Sequence, residues 1–212
     1  MVDHDEDPLS SRIPTILGGV LATLAIVVAG IWVSGKTGLP SPDAVLSLAN
    51  PQSKPVLTGP VYAIGDSVLL GAKSCLTGTD VRVRAKENRR MKDGAARIEK
   101  KAAAGNLPPR VVVALGTNGP FGYKALDRIM RASGPQRSVY WVTAELPEID
   151  RYAYEDKVNK RLRSMPGRWP NAHVIDWNAS VLPEGLYPDG IHLNPAGCQA
   201  YANLILQGVA KG

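Results

Sequence analysis

The stretch Ala63-Ile64-Gly65-Asp66-Ser67-Val68-Leu69-Leu70 decides how this sequence is read. It closes a short apolar run, Val61-Tyr62-Ala63-Ile64, that suits a buried strand, and it opens a segment through Ala72 that suits the start of a helix. A serine at a strand-to-helix turn has its hydroxyl at the open edge of a sheet. The N–H groups that begin the helix favour negative charge there. Two readings follow: Asp66 or Ser67 caps the helix, as both residue types do well, or Ser67 is a nucleophile. The stretch by itself leaves both open.

Working outward, strand-like and helix-like segments alternate from Pro60 onward. Strands are predicted over Val61–Ile64, Val81–Arg84, Arg110–Leu115, Ser138–Thr143 and Ala172–Asp176. Helices are predicted over Lys92–Ala104, Tyr123–Ala132, Tyr154–Ser164 and Pro195–Val209. The run RVVVAL at 110–115 is β-branched and too short for a helix, so it reads as a central strand. A βαβα rhythm predicts a parallel sheet covered on both faces, with function gathered at the carboxyl ends of its strands.

Three loops at such ends carry reactive residue types: Gly65-Asp66-Ser67, Gly116-Thr117-Asn118-Gly119, and Asp189-Gly190-Ile191-His192-Leu193-Asn194. Each alone reads as a turn or a cap. Together they place Ser, Asn, Asp and His on one rim. A serine hydroxyl needs a base to take its proton, and histidine supplies one near neutral pH. An aspartate three residues before the histidine can reach Nδ1 and leave Nε2 facing Ser67. The amide of Asn118 can donate to a developing oxyanion.

The rest of the chain sets the context. It has 212 residues, 44% hydrophobic and 21% charged, enough for one α/β domain with an appendage. Residues 1–12 are polar and acidic and read as disordered. Residues 13–33, IPTILGGVLATLAIVVAGIWV, hold no charge. As a helix they would run roughly 30 Å, the thickness of a bilayer core. The length of the run and the single Arg12 ahead of it favour an uncleaved signal-anchor over a cleaved signal peptide. Residues 34–59 are rich in Gly, Pro and Ser and read as a flexible tether. Charge before residue 34 sums to −3, which leaves +9 for the remainder of the +6 total. A basic domain behind an acidic tip suits work near an anionic surface. No nucleic-acid-reading motif or stacking platform accompanies that charge. The two cysteines, Cys75 and Cys198, fit no metal-site spacing.

GDS at 65–67, GTN at 116–118 and DGIH at 189–192 resemble three of the four signature blocks of the SGNH, or GDSL, hydrolase superfamily, the resemblance spanning about residues 60–210 of a domain read over 60–212. The nearer resemblance is to the extracytoplasmic SGNH domain of bacterial peptidoglycan O-acetyltransferases. It is carried by GDSVLLGA, LGTNG, the Glu155-Asp156-Lys157-Val158-Asn159 segment, VIDW at 174–177 and DGIHLN. The resemblance implies a flavodoxin-like three-layer sandwich with Ser67 as nucleophile, His192 as base and Asp189 as its orienter. Asn118 and the Ser67 N–H are implied as oxyanion donors. Where the family usually has a glycine, Asn88 stands here, and its N–H is the third donor if it adopts the left-handed backbone that asparagine tolerates.

In that layout the first and last helices share a face, which makes a disulfide between Cys75 and Cys198 reachable outside the membrane. His173 reads as structural. Arg89 and Arg90 have two readings, contact with an anionic substrate or solvated charge, of which solvated charge is favoured; the Lys157, Lys160, Arg161 and Arg163 cluster reads as solvated charge. No metal or cofactor is implied. The expected activity is O-acyl transfer, acetyl above all, to an envelope glycan, with the domain outside the cell membrane. The acyl donor would be soluble or delivered by a separate multi-span membrane acyltransferase. An esterase acting on glycan or lipid uses the same residues, and a non-catalytic tethered binding module is the third reading.

Overall fold

The computed structural model describes residue 55 and residues 57–212. The predicted acidic N-terminus, membrane span and nearly all of the tether lie outside the described residues.

Among the described residues, five strands form one sheet: β1 (Val61–Gly65), β2 (Val81–Ala85), β3 (Arg110–Ala114), β4 (Ser138–Val142) and β5 (Ala172–Ile175). Their spatial order is β2-β1-β3-β4-β5 and every pairing is parallel. Central strands β1, β3 and β4 are almost continuously buried, as expected of a sheet covered on both sides, whereas edge strand β2 alternates buried and exposed. The helices are α1 (Ser67–Gly71), α2 (Met91–Ala103), α3 (Tyr123–Ser133), α4 (Glu155–Arg163), α5 (Met165–Arg168) and α6 (Pro195–Lys211).

Side-chain alternation along the strands sorts the core into two layers. Val61, Ala63, Val112, Ala114 and Tyr140 face α1 and α6. Tyr62, Ile64, Val111, Val113 and Trp141 face α2 to α5. The flavodoxin-like sandwich is therefore present; the strands and helices given ranges in the sequence reading have boundaries within a residue or two of those observed, and the short α5 was not anticipated. The first helix is only five residues long and gives way to turns before Cys75.

The strand order reverses between β1 and β3. In parallel sheets, the crevice beyond the carboxyl ends at such a point is where ligands collect. Two glycines let the chain close up there. A Cβ on Gly65 would lie 2.4 Å from Leu69 Cβ and 2.9 Å from Ala114 O, and one on Gly116 would lie 2.6 Å from Ala144 Cβ. The glycines of both motifs are thus steric requirements of the rim.

Two structural expectations need correction. Arg89 is not solvated: it is buried, and its guanidinium donates to Gly65 O at 3.0 Å and also to Arg84 O. It ties the ends of β1 and β2 from below, which a run of charged neighbours conceals in the sequence. The basic face of α4 is also partly engaged. Arg163 forms a two-pronged pair with Asp176 at 2.7 and 2.8 Å, and Arg161 donates to Phe121 O at 2.7 Å. Arg90, Lys157 and Lys160 are exposed as expected. His173 is structural: it lies on β5 and stacks on Tyr140, ring centroids 4.8 Å apart.

Candidate active site

Asp66 is the N-cap of α1, its Oδ1 accepting from Val68 N at 3.1 Å. The cap reading of the opening stretch is therefore correct for Asp66, and it leaves Ser67 free for another task. The second carboxylate oxygen of Asp66 reaches across to the loop after β3. It accepts from Gly116 N at 3.4 Å, Thr117 N at 3.5 Å and Thr117 Oγ1 at 2.9 Å. Burial pushes this carboxyl above its usual range, against the pull of those hydrogen bonds. Asp66 thus fastens the Ser67 turn to the Asn118 loop.

Asn118 follows from that fastening. The hydroxyl proton of Thr117 is committed to Asp66, so toward Asn118 the hydroxyl can only accept. It takes one amide hydrogen, Asn118 Nδ2 to Thr117 Oγ1 at 3.1 Å. The amide has two, and the second remains for a ligand.

On the opposite side stands a loop that folds on itself. Asp189 Oδ1 accepts from Ile191 N and His192 N, both at 2.9 Å. Its Oδ2 is 2.7 Å from His192 Nδ1, and His192 Nε2 is 3.0 Å from Ser67 Oγ. Burial opposes ionisation of Asp189, but the bonds from the His192 ring and from the two backbone N–H groups outweigh it and hold the carboxyl at about 2. A carboxylate only accepts, so Nδ1 carries the imidazole proton and Nε2 is left to accept from Ser67 O–H. Asn194 anchors the far end of the loop. Its amide donates to Glu184 O and Leu186 O, and its oxygen caps α6 by accepting from Ala196 N and Gly197 N.

Ser67, Asn118, Asn88 and His192 all line one cavity of about 540 Å³, bordered also by Arg151 and Tyr152. Asn88 takes a positive φ of 56°, the left-handed conformation required of it. The sequence reading credited the start of α1 with favouring negative charge. At five residues α1 has little macrodipole, so that effect falls to individual donors. Arg151 and Tyr152, the cation 5.4 Å from the ring centroid, were missed in the sequence because they lie on a short 3₁₀ turn, Asp150–Tyr152, that no periodicity marks. Cys75 and Cys198 form a disulfide, Cα atoms 6.0 Å apart, joining the turns after α1 to α6.

No protein-family model matches the sequence. A solved structure does match: the C-terminal catalytic domain of the Streptococcus pneumoniae peptidoglycan O-acetyltransferase A, with a methylsulfonyl adduct. It has a TM-score of 0.66 and 25% identity, and the match covers 73% of this chain and 94% of that one. The fold is that of the SGNH hydrolases. A Veillonella parvula lipolytic protein of the G-D-S-L family shares this SGNH fold at TM-score 0.58 and 17% identity, over 71% of this chain and 97% of that one. In sequence, YrhL of Bacillus subtilis, provisionally named a peptidoglycan O-acetyltransferase, is 32% identical over 152 residues, 69% of this chain and 23% of that protein. The peptidoglycan O-acetyltransferase OatA of Listeria monocytogenes is 29% identical over 156 residues, 72% of this chain and 24% of that protein. The chain spans about a quarter of the length of these curated relatives.

Proposed function

We propose that the SGNH domain transfers an O-acyl group, acetyl above all, to a hydroxyl of a cell-envelope glycan through an acyl-Ser67 intermediate. One observation carries this reading: the unbroken hydrogen-bonded chain from Asp189 through His192 to Ser67. The similarity to peptidoglycan O-acetyltransferases supports the choice of acyl group and acceptor.

Ser67 Oγ attacks the donor's acyl carbonyl while His192 Nε2 takes the serine proton. Asp189 Oδ2 stabilises the imidazolium that forms. The oxyanion is received by Asn118 Nδ2 and the Ser67 N–H, with the Asn88 N–H as third donor. The tetrahedral intermediate collapses, the donor's leaving oxygen takes the proton from His192, and acyl-Ser67 remains. A glycan hydroxyl then gives its proton to His192 and attacks the ester, and Ser67 regains its proton as it leaves.

The second reading, an esterase, is favoured by one feature. The side chains of Asp189 and His192 are each 47% exposed, so water can reach the base. Incubating the protein with a chromogenic acetyl ester, with and without chitooligosaccharide, separates the two. Acetylated sugar among the products establishes transfer; acetate alone in both arms establishes hydrolysis.

The location belongs to the same proposal. The apolar run at 13–33 anchors the chain in the cell membrane with the SGNH domain outside, and the disulfide supports an oxidising compartment. The acyl donor is then a soluble ester or is presented by a separate multi-span membrane acyltransferase. Co-purification from membranes tests this: recovery of such a partner supports it, and efficient transfer from a simple ester without one removes the need for it.

A further inference from the structure

We propose that Tyr154 is a positioning residue for the oxyanion donor Asn118, its one phenolic oxygen holding both peptide groups that flank that residue. The inference rests on the reading of Ser67 as nucleophile and assigns a role outside the motif blocks. Tyr154 donates its hydroxyl proton to Thr117 O at 2.7 Å and accepts from Gly119 N at 3.2 Å. These groups belong to the peptide units on either side of Asn118. A phenol has one proton and open lone pairs, so it can hold one group of each kind at once.

The other end of Asn118 is fixed independently. Its side chain donates to Thr117 Oγ1, which donates to Asp66. The loop from Gly116 to Gly122 has no regular ladder of its own, so these bonds take the place of one. Tyr154 is in turn firmly rooted. It precedes α4, where Asn159 brackets Ala144 with two bonds of 2.8 Å and Glu155 Oε2 accepts from Leu146 N at 3.0 Å. The helix is pinned to the end of β4, and Tyr154 carries that constraint sideways to the end of β3. Burial raises the phenol's pKa, ahead of the Gly119 bond that lowers it, which keeps the hydroxyl a neutral donor.

Loss of an oxyanion donor costs about 10²–10³ in rate, and small misplacements of a catalytic group also register strongly. Freeing the root of Asn118 without removing its amide should therefore cost about ten-fold. The test measures chromogenic acetyl ester turnover by the full chain in detergent, for the wild type, Tyr154→Phe, Asn118→Ala, the double variant and Ser67→Ala. Thermal midpoints are taken alongside. Tyr154→Phe is expected to lower kcat about ten-fold with little change in KM. In the Asn118→Ala background the same substitution should change kcat by less than about two-fold, because the donor it positions is gone.

An equal loss in both backgrounds overturns the inference, as does a change in KM alone. If Tyr154→Phe fails to fold, Tyr154→Met, which also lacks the hydroxyl, is measured in its place and decides by the same criteria. Ser67→Ala separates the two layers of the argument. Full turnover without Ser67 defeats the nucleophile reading. Dead Ser67→Ala beside an unaffected Tyr154→Phe defeats only the role given to Tyr154.

Discussion

On one side of the cavity, Ser67 and Asn118 sit on the ends of β1 and β3 and are laced together through Asp66, which is 1% exposed. On the other side, Asp189 and His192 stand on a surface loop with side chains nearly half exposed. The first pair takes its geometry from the sheet, through bonds spanning about fifty residues of chain. The second takes its geometry from bonds within ten residues of chain, the turn closed by Asp189 and the anchor at Asn194. Ser67 and Asn118 should therefore share the stability of the core, while His192 should be separable from it.

The sharpest way to break that contrast is His192→Ala. It should reduce ester turnover by about 10⁴-fold or more, with a denaturation midpoint close to wild type because the side chain is exposed. A large loss of stability in this variant would show the loop to be part of the core after all.

Reducing the Cys75–Cys198 bond probes the link between the halves. The bond closes a loop of 123 residues, and the chain-entropy treatment gives a loss of about 4–5 kcal/mol in unfolding free energy. The fraction that stays folded should keep its kcat, since the Asp189–His192 loop is held by its own hydrogen bonds. Urea unfolding with and without reductant, followed by turnover at low urea, checks both parts.

Asp66→Ala attacks the laced side. It leaves the buried N–H groups of Val68 and Gly116 and the half-buried one of Thr117 without their acceptor, and should destabilise the domain by about 2–3 kcal/mol while also lowering kcat. Loss of rate with unchanged stability would contradict the assignment of this carboxylate to the core.

The smallest expected effect concerns Glu155, at the root of the same scaffold. Burial, with the neighbouring Glu145, raises its carboxyl from 4.5 to about 7, and Asp156 adds to the push while Arg163 opposes it. A carboxyl whose folded pKa is raised binds its proton more tightly in the folded chain. Its contribution to stability therefore falls as pH rises from about 4.5 to about 7, and is level above that. Glu155→Gln should narrow the difference in thermal midpoint between pH 5 and pH 8 by a few degrees, and an unchanged difference would remove Glu155 as its source.

The same contrast explains what could be read before any coordinates. The Asp189–His192 turn is local, so its spacing of three already states the geometry. The strands are apolar runs of the right length, and their alternation with helices fixes the layers and brings Cys75 and Cys198 onto one face. What the sequence concealed is long-range and made of side chains bonded to main chain. Arg89 under Gly65, Tyr154 around Asn118 and Asn159 on Ala144 have partners fifteen to thirty-seven residues away, and no periodicity marks them. Asp66 was legible as a cap but not as a bridge, because its second oxygen serves a loop fifty residues on.

Acid-quenching the protein during turnover of an acetyl ester, and locating the adduct by peptide mass mapping, shows whether Ser67 carries the acyl group. One acetyl group is expected on the peptide containing Ser67, absent from Ser67→Ala and transient in the wild type. Turnover of the same ester with no adduct, and at an undiminished rate in Ser67→Ala, would contradict acyl transfer through Ser67.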